Sequence, residues 1–309
     1  MGGGGTRLEG TSPRRIVSGF RPTGRLHLGH LWGALRNWIR LQEEAQCFFF
    51  IADWHALTDG YEKTSGIAAN TREMLLDWLA TGLDPAKAVI FQQSAVKEHA
   101  ELYLLLAMIV PTPWLLRNPT IKEHAREIGL IESEDDIAMT QVNYGLLGYP
   151  VLQAADVVLY KASGVPVGVD QVPHIELTRE IVRRFNRLYG EVFPEPAALL
   201  TEVPKIPGTD GRKMGKSYHN AIFLSDSPAE IDTKLSRMMT DPRRVRRTDP
   251  GEPEDCPVFN LHRVYCTPDE LETVTTGCRT AGIGCLECKH IMIKHVIADL
   301  APIRERRAE

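Results

Sequence analysis

An α/β fold with a parallel sheet and a smaller all-helical part behind it follows from three observations. Strand-like and helix-like segments alternate through the first two thirds of the chain. One strand segment, Cys47–Ile51, is a continuous aromatic and aliphatic run, the pattern of a strand covered on both faces. Beyond Asn220 the strands stop and helices with charged faces take over.

In chain order, Arg15–Gly19 reads as the first strand, ended by Gly19 and Pro22-Thr23-Gly24. A helix follows from about Gly29, with Leu31, Leu35, Trp38 and Ile39 recurring on one face. Ile67–Ala80 is helical, with Ile67, Met74, Leu75, Trp78 and Leu79 in register and Gly82 as its stop. Ala88–Gln92 is a strand, Tyr149–Lys161 a helix, Gly164–Gly168 a strand interrupted by Pro166, and Thr178–Tyr189 a helix. Ligands of such sheets collect beyond the carboxyl ends of the strands. That places chemistry at Gly19–Gly24, Asp53–Thr58 and Gly168–Gln171. Pro, Gly and Asp crowd Pro204–Asp210, and a boundary is expected near Asn220. Three parts are expected: a disordered leader over 1–13, a catalytic domain over 14–220 and a helical domain over 221–309.

A chain of 309 residues with net charge −4 excludes a uniformly basic nucleic-acid coat, so a nucleic-acid partner needs a local patch. Arg243, Arg244, Arg246 and Arg247 form one candidate; Arg183, Arg184 and Arg187 form another at helical spacing, and for either patch alone a solvated face or linker is the better reading. No apolar run reaches the roughly 20 residues that span a bilayer. Met1–Arg15 is Gly-rich and basic without the apolar core of a secretory signal. Gly2 with Thr6 matches a myristoylation pattern only through the accident of a glycine run.

Two motifs carry chemistry. In His27-Leu28-Gly29-His30, two imidazoles at a helix mouth can donate N–H to phosphate oxygens, and Gly29 leaves room for a base or ribose. The plain alternative is a pair of histidines satisfied at a helix start. Lys213-Met214-Gly215-Lys216-Ser217 offers two ammonium groups and a hydroxyl in a glycine-containing loop. It is not a P-loop, because Asp210 stands where that motif needs glycine and no strand precedes it. A solvated lysine pair is the alternative.

The run Val17–His30 resembles the HIGH signature region of class I aminoacyl-tRNA synthetases, and its details are most similar to the tryptophanyl enzymes. Gly33–Trp38, Phe48–Thr58, Tyr149–Tyr160 and Val165–Asn186 share that resemblance, which extends from about Arg15 to Arg307. Lys213–Ser217 resembles the KMSKS signature with Gly215 in place of serine. The resemblance implies a Rossmann-like catalytic domain, a cytoplasmic homodimer, and formation of tryptophanyl-adenylate and pyrophosphate from L-tryptophan and ATP with Mg²⁺. Transfer of the amino acid to its tRNA follows.

By the same resemblance, His27, His30, Lys213, Lys216 and Ser217 are catalytic. Gly19, Arg21, Pro22, Thr23, Gly29, Gly168, Val169, Asp170, Ile206, Met214 and Gly215 match nucleotide-contacting positions. Val17, Ser18, His55, Tyr149, Gln153, Asp156 and Gln171 match substrate positions, with Asp156 accepting the indole N–H and Gln153 replacing a methionine. Indole offers a single N–H donor and no acceptor, so apolar walls and one buried acceptor suit it. A tyrosyl enzyme is the nearest rival. Gly215, and a chain that stops where the family's helical tail continues, leave room for a paralogue that binds without charging tRNA.

Of six cysteines, Cys47 is expected as a small buried hydrophobe, and Cys266 has no assigned role. Cys256, Cys278, Cys285 and Cys288 form C-x21-C-x6-C-x2-C, a metal-binding pattern rather than a disulfide set in a reducing compartment. Only Cys285 and Cys288 make the short pair typical of structural zinc, and irregularly spaced thiolates suit a [4Fe–4S] cluster. The resemblance also implies the cluster, with zinc and unliganded thiols as alternatives.

Overall fold

Five strands form one parallel sheet in the order β3-β2-β1-β4-β5. They are β1 Arg15–Phe20, β2 Gln46–Ile51, β3 Ala88–Gln92, β4 Gly164–Val167 and β5 Ala197–Leu200. β1 pairs with β4 with Ile16 opposite Gly164. The order runs outward in both directions from β1 and β4, which makes their carboxyl ends the switch point where such sheets bind ligands. The computed structural model describes residues 14–132, 141–200, 204 and 206–309, so the leader expected over 1–13 lies outside the described residues.

The chain divides into two units. The first, through Gly19 with Leu41–Phe50 and Pro85–Leu199, holds the sheet. Cys47 and Phe49 on β2 are buried, as the apolar run requires, and burial pushes the Cys47 thiol up to about 11. Leu146, Val151, Ala154, Ala155, Ile181 and Val182 build a helix–helix core in the same unit.

Several element boundaries differ from the sequence reading. The helix expected over Tyr149–Lys161 spans Tyr144–Val158. It starts earlier because Asn143 caps it, its side-chain oxygen accepting the Leu146 N–H at 2.7 Å. It stops earlier because Lys161 adopts φ +51°. The helix expected from Thr178 begins at Val172, with Pro173 in the first turn, where its missing N–H is harmless. β4 runs through Pro166 rather than being interrupted by it. β5 and the helices Glu98–Ala107, Thr112–Leu116 and Pro119–Glu127 have no counterpart in the sequence reading.

The second unit takes Phe20–Arg40, Ile51–Asp84 and Leu200–Glu309, so the boundary expected near Asn220 falls inside it. Its aromatic centre is Trp38, stacked on Phe20 at 4.7 Å and edge-on to Trp78 at 5.3 Å. The helix read as regular from Gly29 carries a widened π-type turn over Leu31–Leu35. Helix Ile67–Thr81 ends as expected at Gly82, whose φ of +110° lies in the region glycine tolerates. The later helices are Pro228–Ser236, Pro257–Tyr265, Pro268–Arg279 and Cys285–Ala308. Proline opens the first three, and capping boxes from Ser227 with Glu230 and Thr267 with Glu270 fix two of those starts. Among the described residues, no helix is long and apolar enough to cross a membrane.

The last turn of helix Cys285–Ala308 is anchored on helix Ile67–Thr81. Arg306 donates to the Ala80 carbonyl at 2.7 Å, and Arg307 pairs with the carboxylates of Asp77 and Glu73. Asp77 is fully buried, so Arg307→Ala strands a charge and is expected to cost about 3 kcal/mol in urea unfolding. A midpoint that does not move would refute the pairing.

Candidate active site

His27 caps the helix start Leu28–His30 with extended backbone. Its Nδ1 accepts the Gly29 N–H at 3.1 Å, and its own N–H donates to His30 Nδ1 at 3.3 Å. Each ring therefore uses Nδ1 as an acceptor, which assigns the proton to Nε2 in the neutral tautomer. Burial and then the nearby Lys216 lower His27 to about 4. Burial, then His27 and Lys216, hold His30 well below the usual imidazole range. At neutral pH both residues offer uncharged Nε2–H donors, with ring centroids 3.8 Å apart. A Cβ on Gly29 would lie 2.9 Å from His27 Cε1, so this glycine makes room for the capping ring itself.

The lysine loop belongs to the same unit. Leu28 N–H donates to Ile222 O and Leu224 N–H to Leu26 O, both at 3.0 Å, so the first motif pairs antiparallel with the segment that follows the loop. Lys216 Nζ donates to Thr23 O at 2.8 Å and Thr23 Oγ1 at 2.9 Å. Burial lowers its ammonium to about 8, Asp77 working against that shift and Arg25 with it. Lys213 and Ser217 are exposed, whereas Met214 is buried. Asn220 shapes the loop from beneath: its Oδ1 accepts Gly215 N–H at 2.9 Å, and its Nδ2 donates to Asp210 Oδ1 and Lys213 O.

Asp77 reaches the first motif from helix Ile67–Thr81. It accepts the Leu26 N–H at 2.6 Å and is the partner of Arg307. Burial pushes its carboxyl up to about 6 against the pull of both donors. Neither Asp77 nor Asn220 was singled out in the sequence. The one available signal was an acidic residue beside Trp78 on an otherwise apolar helix face. Of the other expected positions in this unit, Arg21 pairs with Asp59 at 2.7 Å, and Pro22, His55 and Ile206 are buried.

The first unit holds Val17, Ser18, Gly19, Tyr149, Gln153, Asp156, Gly168, Val169, Asp170 and Gln171. Asp156 is buried and already well supplied with donors. Gln93 Nε2 approaches both its oxygens at 2.8 and 2.9 Å, and His99 Nδ1 lies 2.7 Å from Oδ1. His99 Nε2 continues to Tyr160 Oη at 2.8 Å, among Phe50, Phe91 and Tyr160. Tyr149 Oη lies 2.8 Å from His174 Nε2, and Asn118 Nδ2 donates to the other ring nitrogen. Gly19 admits no side chain, because a Cβ would meet Phe50 O at 2.7 Å. Gly168, Val169 and Asp170 form an exposed turn before helix Val172–Tyr189, with Gln171 bonded to Asp170 at 2.9 Å. Gln93, His99, Asn118 and His174 carry no motif and were missed.

In the second unit Cys256, Cys278, Cys285 and Cys288 lie within electrostatic reach of one another. Burial, then the thiols of Cys256, Cys278, Cys285 and Cys266, push Cys288 up to about 12; burial also raises Cys278, against Arg244. Arg244 Nη1 lies 4.0 Å from Cys278 Sγ and His262 Nε2 3.2 Å from Cys288 Sγ. An all-sulfur donor set with N–H groups aimed at the sulfurs fits a thiophilic metal centre. Of the arginine patches, Arg183 is bonded to Glu195, whereas Arg244, Arg246 and Arg247 line an open cleft with His290.

The chain as a whole is similar to known proteins. The family described as tRNA synthetases class I (W and Y) matches residues 9–300. The chain belongs to this family. It is 56% identical over 293 residues to the tryptophan–tRNA ligase of Thermotoga maritima, covering 94% of this chain and 87% of that one. It is 50% identical over 358 residues to that of Aquifex aeolicus, covering 96% and 90%. The solved tryptophanyl-tRNA synthetase of Campylobacter jejuni, complexed with ADP and tryptophan, matches at TM-score 0.82 and 33% identity, over 95% of this chain and 88% of that one.

The charge on Lys216 sets a pH dependence. The ammonium is present below about 8 and is lost above it, while the imidazoles stay neutral down to about 4 for His27. kcat/KM for ATP is therefore expected to fall above about pH 8. Lys216→Arg should remove that alkaline limb even where it lowers the plateau. A limb that survives this substitution belongs to another group.

Proposed function

We propose that this chain activates L-tryptophan with ATP and transfers it to the tRNA specific for tryptophan. The observation that carries the reading is the pair of backbone-locked, neutral imidazoles joined by an antiparallel β-bridge to the segment that follows the lysine loop, in a chain of this family. The tryptophan carboxylate, with a reference pKa of roughly 3.5, is ionised at neutral pH and needs no general base. It attacks the α-phosphorus of ATP in line, forming the mixed anhydride and releasing pyrophosphate. His27 and His30 donate Nε2–H to phosphate oxygens, and Lys213, Lys216 and Ser217 neutralise and orient the triphosphate. Mg²⁺ bound with the triphosphate would add to the neutralisation of phosphate charge that these side chains provide. Lys216 exchanges Thr23 oxygens for phosphate as the loop engages. A ribose hydroxyl of the tRNA's terminal adenosine then attacks the adenylate carbonyl, and AMP leaves.

Asp156 accepts the indole N–H, with Gln93 and His99 fixing its carboxylate in place. Tyr149 and Gln171 serve the amino-acid end, and Gly19, Gly168, Val169 and Asp170 border the nucleotide. The basic cleft of Arg244, Arg246 and Arg247 supports tRNA binding. Leu104, Leu105 and Met108, exposed by 55%, 61% and 73%, support pairing of two copies through the first unit. A cytoplasmic setting fits the substrates. Tryptophan-dependent exchange of labelled pyrophosphate into ATP is expected, with tyrosine poorer by a factor on the order of 10⁴. No exchange with tryptophan overturns the activation reading; exchange without charging of tRNA overturns only the transfer step.

For the four thiols we propose a [4Fe–4S] cluster. Bound there, it would supply a rigid cross-link between Cys256, Cys278 and the start of helix Cys285–Ala308. The protein purified without oxygen is expected to hold about four iron and four sulfide per chain, and Cys288→Ser to lose both. Zinc in place of iron at these thiols would overturn the cluster.

A further inference from the structure

Cys266, left over by the sequence pattern, sits at the corner between helices Pro257–Tyr265 and Pro268–Arg279. One donor atom each from Cys266, Glu270 and His295 lies within 4.8 Å of the other two. Glu270 comes from the first turn of the second of those helices, and His295 from helix Cys285–Ala308. A second imidazole stands beside the thiol, His262 Nδ1 lying 3.1 Å from Cys266 Sγ, and can turn toward the other three as a fourth donor. We propose that Cys266, Glu270, His295 and His262 bind a single divalent metal ion of borderline softness, zinc above all.

One sulfur, one carboxylate and two imidazoles are ligands that Zn²⁺ accepts together, whereas Mg²⁺ and Ca²⁺ take oxygen. Four protein ligands make a closed, structural site rather than a catalytic one. Donors bound at about 2.0–2.3 Å in a tetrahedron stand roughly 3.3–3.8 Å apart. His262 Nδ1 and Cys266 Sγ now stand 3.1 Å apart and His295 Nε2 and Glu270 Oε2 2.8 Å, so these side chains must rotate to open to that spacing as the ion enters. Binding requires the Cys266 thiol to release its proton to solvent. The resulting thiolate and the Glu270 carboxylate then balance the two charges of the ion.

The surroundings support the ligands. With Nδ1 on the metal, His262 keeps its proton on Nε2, which lies 3.2 Å from Cys288 Sγ and donates to it. Thr267 N–H donates to Glu270 Oε2 at 3.0 Å, and Lys294 pairs with Oε1 at 2.8 Å. The Glu270 and His295 side chains are 23% and 31% exposed, so an ion can reach them from solvent. The site would tie three helices at one point, beside the four-cysteine set that His262 also touches, and it does not rest on the catalytic reading.

The test measures zinc and iron separately in the full-length protein, dialysed against zinc and then against metal-free buffer. About one zinc per chain is expected to remain, with zinc falling at least about tenfold in both Cys266→Ser and His295→Gln while iron is unchanged. Circular dichroism checks that each variant folds; His295→Gln, at a part-exposed position, guards against a collapse caused by altering Cys266. With Co²⁺ in place of zinc, the sulfur-to-metal absorption should vanish in Cys266→Ser and persist in Cys278→Ser. Zinc retained in both variants, or Co²⁺ absorption that disappears only with Cys278→Ser, overturns the proposal.

Discussion

The two hydrogen bonds between Leu26–Leu28 and Ile222–Leu224 turn two distant sequence motifs into one site. The antiparallel bridge between His27 and Phe223 holds the imidazole pair beside the segment that follows the lysine loop through main-chain bonds. Asp77 adds to this by taking the Leu26 N–H. That carboxylate is tolerable in a buried position because Arg307 meets it, and Arg307 lies at the far end of the chain. The stability of the last helix and the placement of the first motif are therefore coupled through one buried acid.

The two units use electrostatics in opposite ways. In the second, burial and neighbouring positive charge strip the histidines of charge and leave them as oriented dipoles. In the first, a buried carboxylate keeps company with amide and imidazole donors, which define where its lone pairs point. Phosphate charge calls for donors that need no reorganisation, and an indole calls for a fixed acceptor in apolar surroundings.

Legibility in the sequence followed how local each cause is. Gly82 ending a helix and β2 as a buried strand were readable because each depends on a few adjacent residues. The early start of helix Tyr144–Val158 was not, because it depends on the Asn143 side chain capping the helix upstream of Tyr149. Both motifs were visible, yet Asn220, which shapes the lysine loop, and Asp77, which steadies the first motif, act through tertiary hydrogen bonds without a spacing rule. Gly29 shows a subtler limit. Its need for a bare Cα was legible, but the reason in the structure is the fold of the His27 ring over its N–H.

In the roles proposed for them, the locked tautomers of His27 and His30 also bear on how the enzyme lets go. Pyrophosphate departs as a small, highly charged anion, and a cage of fixed cations around it would hold on. Dipolar Nε2–H groups grip only over hydrogen-bond distance, so their hold fades within a fraction of an ångström of retreat. The longer-ranged pull comes from ammonium groups on side chains with rotatable stems, and Lys216 has Thr23 as a resting partner to swing back to.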